Sequence, residues 1–395
     1  MNYAKIYKNL EILESLPQNL INRDFFLTWE KTESELKALV LAAELLKHLH
    51  ASKIPFRIFD HGLGISIFKD NSTRTRFSFI SAINALGLGH AEMEETKSQL
   101  SHGETIRETA NMISFLAEVI GIRDDMYLGE GDRYQREIAA AVETGFQEGT
   151  LHQRPQVINL QSDLDHPTQT LADLGKLKDY FGGFNNLRGK KIAVTWAYSP
   201  SYGKPLSVPQ GLINLMCRLG MNVSLAYPEG YDLLPELTEN AQKLSRQSGG
   251  NFSITNSMAD AFHDADIVYP KSWAPFSIMQ QRVDLLKNND LKGLKDLEKT
   301  CLASNAKHTD WECNRKMMDL TRDKQALYQH CLPADISGIS CSHGEVSAEI
   351  FEQYRRHTYH QASFKPFIIA AMIFLAKIKN PVHKFNEILS DNLIQ

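Results

Sequence analysis

The sequence is short of the features that mark several large classes of protein. Its 395 residues include five cysteines, Cys217, Cys301, Cys313, Cys331 and Cys341. The number is odd, and none forms a CxxC pair or a zinc-ligand spacing with histidine, which argues against a disulfide framework and a structural metal site. No run of eighteen apolar residues occurs, and Met1 to Leu10 carries charges and no apolar signal core. Neither a membrane span nor a secretory leader is expected, so the reading is a cytoplasmic protein with no membrane partner. Excess charge is missing as well: 43 Lys and Arg stand against 47 Asp and Glu, a formal net charge of −4. Nucleic-acid binding needs a clustered basic face, so no nucleic-acid partner is expected and any bound anion must be gripped locally. Solenoid periods and low-complexity tracts are also lacking.

What is present is an alternation of helix and strand signals. Leu36, Leu39, Val40, Ala43, Leu46 and Leu49 recur at helical spacing and predict a helix over 34–52. A strand over 56–68, broken around Gly62-Leu63-Gly64, runs through a polar loop into a helix over 73–86. There follow a helix over 104–117, strands at 119–123 and 157–160, and a helix over 167–180. The second half repeats this grammar, with strands at 192–196, 223–226, 267–269 and 327–330 and helices over 210–219 and 234–247. Such alternation predicts an α/β protein of two domains, each with a central parallel sheet flanked by helices. The glycine-rich polar stretch 182–190 puts a boundary near residue 180. The last apolar helix, 366–378, is expected to return to the first lobe, giving one domain of 1–178 plus 360–395 and another of 179–359.

Three segments carry candidate chemistry. Asp70-Asn71-Ser72-Thr73-Arg74-Thr75-Arg76 lies between an apolar strand and a helix. A helix start offers unpaired N–H groups and a partial positive end, and hydroxyl and guanidinium groups here add to it, as a phosphate would require. The same residues also read as an ordinary N-cap, Asn71 or Ser72, followed by two surface arginines. His166-Pro167-Thr168-Gln169 opens another helix, with Asp163 and Asp165 before it and Asp173 inside it. The histidine can polarise a carbonyl oxygen and the glutamine amide oxygen can accept from an NH₂ group, although a lone His-Pro is more often structural. His330-Cys331-Leu332-Pro333 sits at the carboxyl end of a predicted strand, where open α/β sheets bind ligands. No cation near Cys331 in sequence lowers its pKa, so a structural thiol is preferred over a nucleophile.

With Gly103-Glu104-Thr105, Glu108-Thr109-Ala110, Gly121-Ile122-Arg123 and Leu171-Ala172-Asp173, these segments resemble, in order and over nearly the whole chain, the signature blocks of the aspartate/ornithine carbamoyltransferase family. Trp196-Ala197-Tyr198-Ser199-Pro200, Lys204-Pro205-Leu206-Ser207-Val208-Pro209 and Lys271-Ser272-Trp273 resemble its knotted branch, which includes acetylornithine and succinylornithine carbamoyltransferases. The resemblance implies transfer of a carbamoyl group from carbamoyl phosphate to an amine, without metal or cofactor. It also implies a knot in the second domain and a homotrimer in which Lys97, Ser98 or Gln99 reaches a neighbour's phosphate.

Carried over by residue, the resemblance implies that Ser72, Thr73, Arg74 and Thr75 hold the phosphate. Arg123 and His166, with Thr75, would face the carbonyl oxygen, and Gln169 with the backbone carbonyls near Cys331 and Leu332 would hold the carbamoyl nitrogen. The catalytic set is then Arg74, Thr75, Arg123 and His166. Where the family has an arginine near the C-terminus, this chain has Lys365, which lacks the planar two-pronged grip. Lys271, Ser272 and Trp273 fall where ornithine enzymes read their amino acid. A cation there suits a carboxylate or an acylated amine better than a free ammonium, which points away from plain ornithine; a solvated loop charge is the other reading. Aspartate, a diamino acid derivative, or a ureido acid cleaved by phosphate in the reverse direction all remain open.

Two rival readings are weaker. A nucleotide-binding oxidoreductase would need G-x-G-x-x-G, but Ile67 and Glu92 stand three residues after Gly64 and Gly89. A catalytically silent paralogue acting as a scaffold or regulatory subunit would fit the departures at Lys271 and Lys365, but the intact Ser-Thr-Arg-Thr and His-Pro-Thr-Gln blocks argue against it.

Overall fold

The computed structural model describes residues 3–17, 19–94 and 103–393. In the first lobe, α1 (Tyr3–Ser15) and α2 (Glu33–Ala51) precede β1 (Leu63–Phe68), α3 (Arg74–Leu86), β2 (Gly89–Met93), α4 (Ile106–Ser114), β3 (Ala117–Asp124), α5 (Gly131–Gln147), β4 (Gln156–Ser162) and α6 (Pro167–Phe181). The second lobe runs through β5 (Lys191–Thr195), α7 (Ser207–Arg218), β6 (Asn222–Ala226), α8 (Pro235–Ser248), β7 (Asn251–Thr255), α9 (Met258–Phe262), β8 (Ile267–Pro270), α10 (Phe276–Lys287), α11 (Leu291–Asn305), α12 (Arg315–Met318) and β9 (Leu327–Tyr328). Beyond it come α13 (Ala348–Ala362), α14 (Lys365–Lys377) and α15 (Pro381–Leu393).

Both main sheets are parallel, with strand orders β2-β1-β3-β4 and β7-β6-β5-β8-β9. In each, the chain winds to one side of a central strand and then crosses to the other. The switch points therefore lie between β1 and β3 and between β5 and β8, and the carboxyl ends of strands at such points are where α/β sheets form clefts. Gly64 and Gly121, on neighbouring strands, let α3 lie close against the sheet: a Cβ at these positions would come within 2.7 Å of Ile83 and 2.6 Å of Phe79. That approach sets the start of α3 beside the end of β3.

The returning helix behaves as its composition demands. Every residue from Ile368 to Ala376 is buried, as expected of a helix apolar on all sides, and α14 packs against α2, α3 and α6 of the first lobe. One apolar cluster continues through both lobes, and a smaller one lies beneath α4 and α5. No single helix among the described residues is long and apolar enough to cross a membrane.

Several predicted bounds shift. The strand expected over 56–68 begins only at Leu63, because Gly62, at φ +105°, turns the chain first. The helix expected from Glu104 begins at Ile106, capped by Thr105, whose side chain accepts from the Glu108 amide while Glu108 reaches back to the Thr105 amide. Strands β2 and β7 escaped the sequence reading because they are edge strands, with no residue of β2 and only Phe252 of β7 fully buried. Helices α5, α10, α11 and α13 were passed over too; they bury only part of their surface and carry long polar faces.

Candidate active site

The segment after β1 is pinned by the Lys69 amide, which donates to the Arg123 carbonyl at 3.0 Å. Thr73, not Asn71 or Ser72, occupies the N-cap position of α3, in αR geometry and with no side-chain cap bond. First-turn amides that no side chain caps are open to a ligand. Thr75 is buried, and Arg74 and Arg123 are half-buried, each with a buried Nε lacking a partner. Arg123 is held by Asp125 at 3.0 Å and donates to Ser72 Oγ at 3.4 Å. Arg74 donates to the Leu332 carbonyl of the second lobe.

Helix α6 starts at Pro167 with His166 at its N-cap. His166 is buried, with Nδ1 3.3 Å from Thr168 Oγ1 and Nε2 3.3 Å from Lys365 Nζ. Burial first, then the charges of Lys365, Arg123 and Arg74, hold its pKa well below the usual histidine value, so the imidazole is neutral. Lys365, at the first position of α14, also lies 3.4 Å from Thr75 Oγ1. Its ammonium is pulled down to about 7, by burial first and by Arg74 next. Gln169 donates to Asp173 at 2.6 Å, and the same carboxylate accepts from Gln361 and from the Tyr269 hydroxyl. Burial raises Asp173 to about 6 against these donors.

From the second lobe come Lys204, after β5, and Lys271, after β8. Both are tied to Glu345, a fully buried carboxylate 3.4 Å from Lys204 and 3.3 Å from Lys271. Glu345 also accepts the amides of Ser272 at 2.7 Å and Asp335 at 2.9 Å, and lies 3.2 Å from His330 Nε2. Burial alone would raise its pKa, but Lys204, Lys271 and His330 hold it well below the carboxylate range. Since the His330 Nδ1 accepts from the Leu332 amide at 2.9 Å, the ring carries its proton on Nε2, toward Glu345.

These groups meet in a cleft of about 160 Å³ between the lobes, lined by Arg74, Thr75, Arg123, Gln161, His166, Lys204, Pro205, Val208, Lys271, Cys331, Leu332, Pro333 and Lys365. Four cations, Arg74, Arg123, Lys204 and Lys271, face it together with Lys365, which titrates near neutrality, and no carboxylate does, which makes it an anion receptor with a neutral imidazole on its wall. Of the expected residues, Arg74, Thr75, Arg123, His166, Cys331, Leu332, Lys365 and Lys271 line it. Ser72 sits behind Arg123, and Thr73 and Gln169 line an adjoining cavity with Arg74 and Lys365. Ser272 and Trp273, expected with Lys271 at the second substrate, are not among the residues that line the cleft. Trp273 is buried, with its indole N–H donated to the Tyr231 carbonyl at 2.9 Å, and Ser272 turns its amide to Glu345. Lys97, Ser98 and Gln99 lie outside the described residues.

Burial raises the Cys331 thiol, consistent with the structural reading. Among the described residues no cluster of His, Cys, Asp or Glu is placed to hold a metal. Lys204, Gln161, Asp125 and Glu345 were missed in the sequence. For Lys204 a usable signal existed, since it precedes Pro205 in a segment already singled out, whereas Glu345 lies in a polar loop with no pattern.

The model of the aspartate/ornithine carbamoyltransferase carbamoyl-P binding domain matches residues 23–179, and that of the Asp/Orn binding domain matches 203–376. YgeW of Escherichia coli, a protein named for an inferred carbamoyltransferase activity, is 59% identical over 379 residues, 96% of each chain. Among solved structures, ornithine carbamoyltransferase from Pyrococcus furiosus superposes with a TM-score of 0.70 at 22% identity, over 91% of this chain and 98% of that one. An acetylornithine transcarbamylase complexed with acetylcitrulline gives 0.68 at 22% identity, over 88% and 97%.

Proposed function

This chain belongs to the aspartate/ornithine carbamoyltransferase family, and we propose that its interlobe cleft moves a carbamoyl group between carbamoyl phosphate and the amine of an amino-acid-like substrate. The observation that carries the proposal is the cleft itself: four cations, a lysine that titrates near neutrality and a neutral histidine, with no facing carboxylate, at the switch points of two parallel sheets. In this reading the open amides at the start of α3, with Ser72, Thr73, Arg74 and Thr75, hold the phosphate. Thr75, Arg123 and His166 surround the carbonyl oxygen. Gln169, oriented by Asp173, and the carbonyls of Cys331 and Leu332 take the carbamoyl NH₂. Arg74 now occupies the Leu332 carbonyl, so the anion would draw the guanidinium away and free that acceptor for the substrate.

The amine nitrogen attacks the carbamoyl carbon to give a tetrahedral oxyanion. The bond to the phosphate oxygen then breaks, and the proton lost by nitrogen leaves with phosphate or water. The protein's contribution is orientation and stabilisation of the oxyanion by donors already in place. Run in reverse, phosphate attacks a ureido carbonyl and releases an amine, and the cleft suits that direction equally. Lys271 and Lys204 favour a second substrate bearing a carboxylate. We also infer, from the family, a domain division of 1–178 plus 360–395 against 179–359, a knot in the second domain, a cytoplasmic location, and a homotrimer in which Lys97, Ser98 and Gln99 reach a neighbour's site. Titration calorimetry with carbamoyl phosphate tests the central claim: saturable one-site binding is expected, and well-folded protein without it ends the proposal. Light scattering tests the trimer.

A further inference from the structure

One polar side chain on the cleft wall has no role in the scheme above. Gln161 stands near the carboxyl end of β4 and is 4% exposed. It pairs with Arg123 in the β3–β4 ladder, and both side chains line the cleft. The carboxamide therefore lies beside the guanidinium that faces the carbonyl oxygen in the scheme. Its Nε2 donates at 3.0 Å to the Oγ of Ser207, a fully buried residue across the lobe boundary in the first turn of α7. Among the described residues no donor is engaged with Gln161 Oε1. The surroundings favour the same orientation. Arg74, Arg123, Lys204 and Lys271 all bring positive charge to the cleft, which attracts a carboxamide oxygen and repels an amide N–H.

The chemistry says what that oxygen meets. The cations disfavour an ammonium, so the nucleophile enters as a neutral amine. An amine that aims its lone pair at the carbamoyl carbon turns its N–H bonds elsewhere, and each needs an acceptor once water has left. Acceptors are scarce on this wall. Apart from the groups already assigned to carbamoyl phosphate, the cleft is lined by Gln161, Lys204, Pro205, Val208, Lys271 and Pro333, with Lys365 turned toward His166 and Thr75. Of these six side chains only Gln161 carries a hydrogen-bond acceptor.

We propose that Gln161 Oε1 accepts an N–H of the reacting nitrogen, from the amine before attack and from the ureido group after it, and that Ser207 is the positioning residue that holds the carboxamide. The oxygen orients the lone pair. It is too weak a base to take the proton, which leaves as in the scheme above. Because Gln161 and Ser207 come from different lobes, the acceptor is aligned only while the lobes keep this spacing. A nucleophile that offers a hydrogen on nitrogen satisfies the site, whereas an oxygen in that place sets acceptor against acceptor. The inference rests on the carbamoyl-transfer reading and deepens it.

The test uses the full-length protein, wild type, Gln161→Met and Ser207→Ala. Calorimetry with carbamoyl phosphate comes first; if the wild type does not bind it, the parent reading fails. The probes are then phosphonoacetyl amides of ω-amino acids of increasing chain length, each beside the ester in which oxygen replaces the amide N–H. At least one amide is expected to bind the wild type about tenfold or more tightly than its ester. Part of that ratio reflects the better carbonyl acceptor of an amide and is common to all three proteins, so the change between proteins is the readout. Gln161→Met should cut the ratio about fivefold, the worth of one hydrogen bond, while carbamoyl phosphate affinity stays within about twofold. Ser207→Ala should cut the ratio in part. The assignment is overturned if no amide outbinds its ester in the wild type, or if the ratio in Gln161→Met stays within about twofold of the wild-type value. It is overturned equally if that variant loses carbamoyl phosphate affinity as far as amide affinity, which would leave Gln161 as a support for Arg123 alone. Where Gln161→Met does not fold, Ser207→Ala decides, and an unchanged ratio there refutes the proposal.

Discussion

Carbamoyl phosphate should bind with uptake of close to one proton at pH 8, and the proton should go to Lys365. In the ligand-free cleft this ammonium is buried and faces Arg74 and Thr75 on α3, Arg123 on β3, His166 and Asp173 on α6, and Cys331 after β9; burial and the two arginines outweigh the remainder and bring its pKa to about 7. At pH 8 about one molecule in eleven then carries the charge. A bound phosphate dianion favours the ammonium strongly, so the complex is protonated and roughly 0.9 proton is taken up. Affinity should accordingly fall toward tenfold, about 1.4 kcal/mol, for each pH unit above 7. Without ligand the linkage has the opposite consequence. A lysine whose folded pKa lies below its unfolded value binds fewer protons when folded, so between pH 7 and about 10 this group makes the ligand-free protein more stable as pH rises. The assay is calorimetry at pH 8 in buffers of different ionisation enthalpy, where the slope of observed heat against buffer enthalpy counts protons. Lys365→Met should reduce the slope to near zero. A slope near zero in the wild type, or an unchanged slope in Lys365→Met, would refute the reasoning.

Other consequences follow from the same geometry. Arg74→Ala and Arg123→Ala should each lower kcat by a factor on the order of a hundred or more, the usual cost of one preorganised oxyanion donor, while circular dichroism and oligomeric state stay unchanged; near-normal turnover in either variant excludes that residue. Glu345→Gln leaves Lys271 without a carboxylate, while Lys204 retains Asp335 at 2.6 Å, so a destabilisation near the lower end of about 3–5 kcal/mol is expected in urea unfolding. Because the Glu345 pKa is depressed on folding, its stabilisation is present above its unfolded value and lost as pH falls through the folded one. The variant should therefore lose less stability than wild type on acidification below about pH 4.5, and parallel pH profiles would contradict the pairing. Cys331→Ser should keep kcat within a few-fold, since the thiol is raised by burial and the reaction has no covalent step for it; abolished turnover in a folded variant would reopen the nucleophile reading.

The parts of this protein legible in the sequence are those where local chemistry decides. Helical spacing gave α2 and the all-apolar α14, glycine and polar breaks gave the strand ends, and the Ser-Thr-Arg-Thr and His-Pro-Thr-Gln blocks marked two helix starts whose free amides need only neighbours in the chain. What remained hidden depends on distance in space. Trp273 reads like a specificity residue in sequence and is a core residue in the fold, because the Tyr231 carbonyl lies within reach of its indole N–H. Lys204, Lys271 and Glu345 are separated by up to 141 positions in sequence, and become one charge cluster only when two strands from opposite sides of a switch point end together. Arg282 looks like any helical surface arginine until Tyr127 and Tyr202 arrive from different lobes to bury it. The sequence by itself determined the strongly patterned helices and buried strands and the segments that carry anion-binding groups; the tertiary structure alone decided the edge strands, the partly buried helices and which charges lose water together. That division has a physical cause: propensity and capping act over a few residues, whereas the electrostatic cost of burial is set by whatever the packed chain brings alongside.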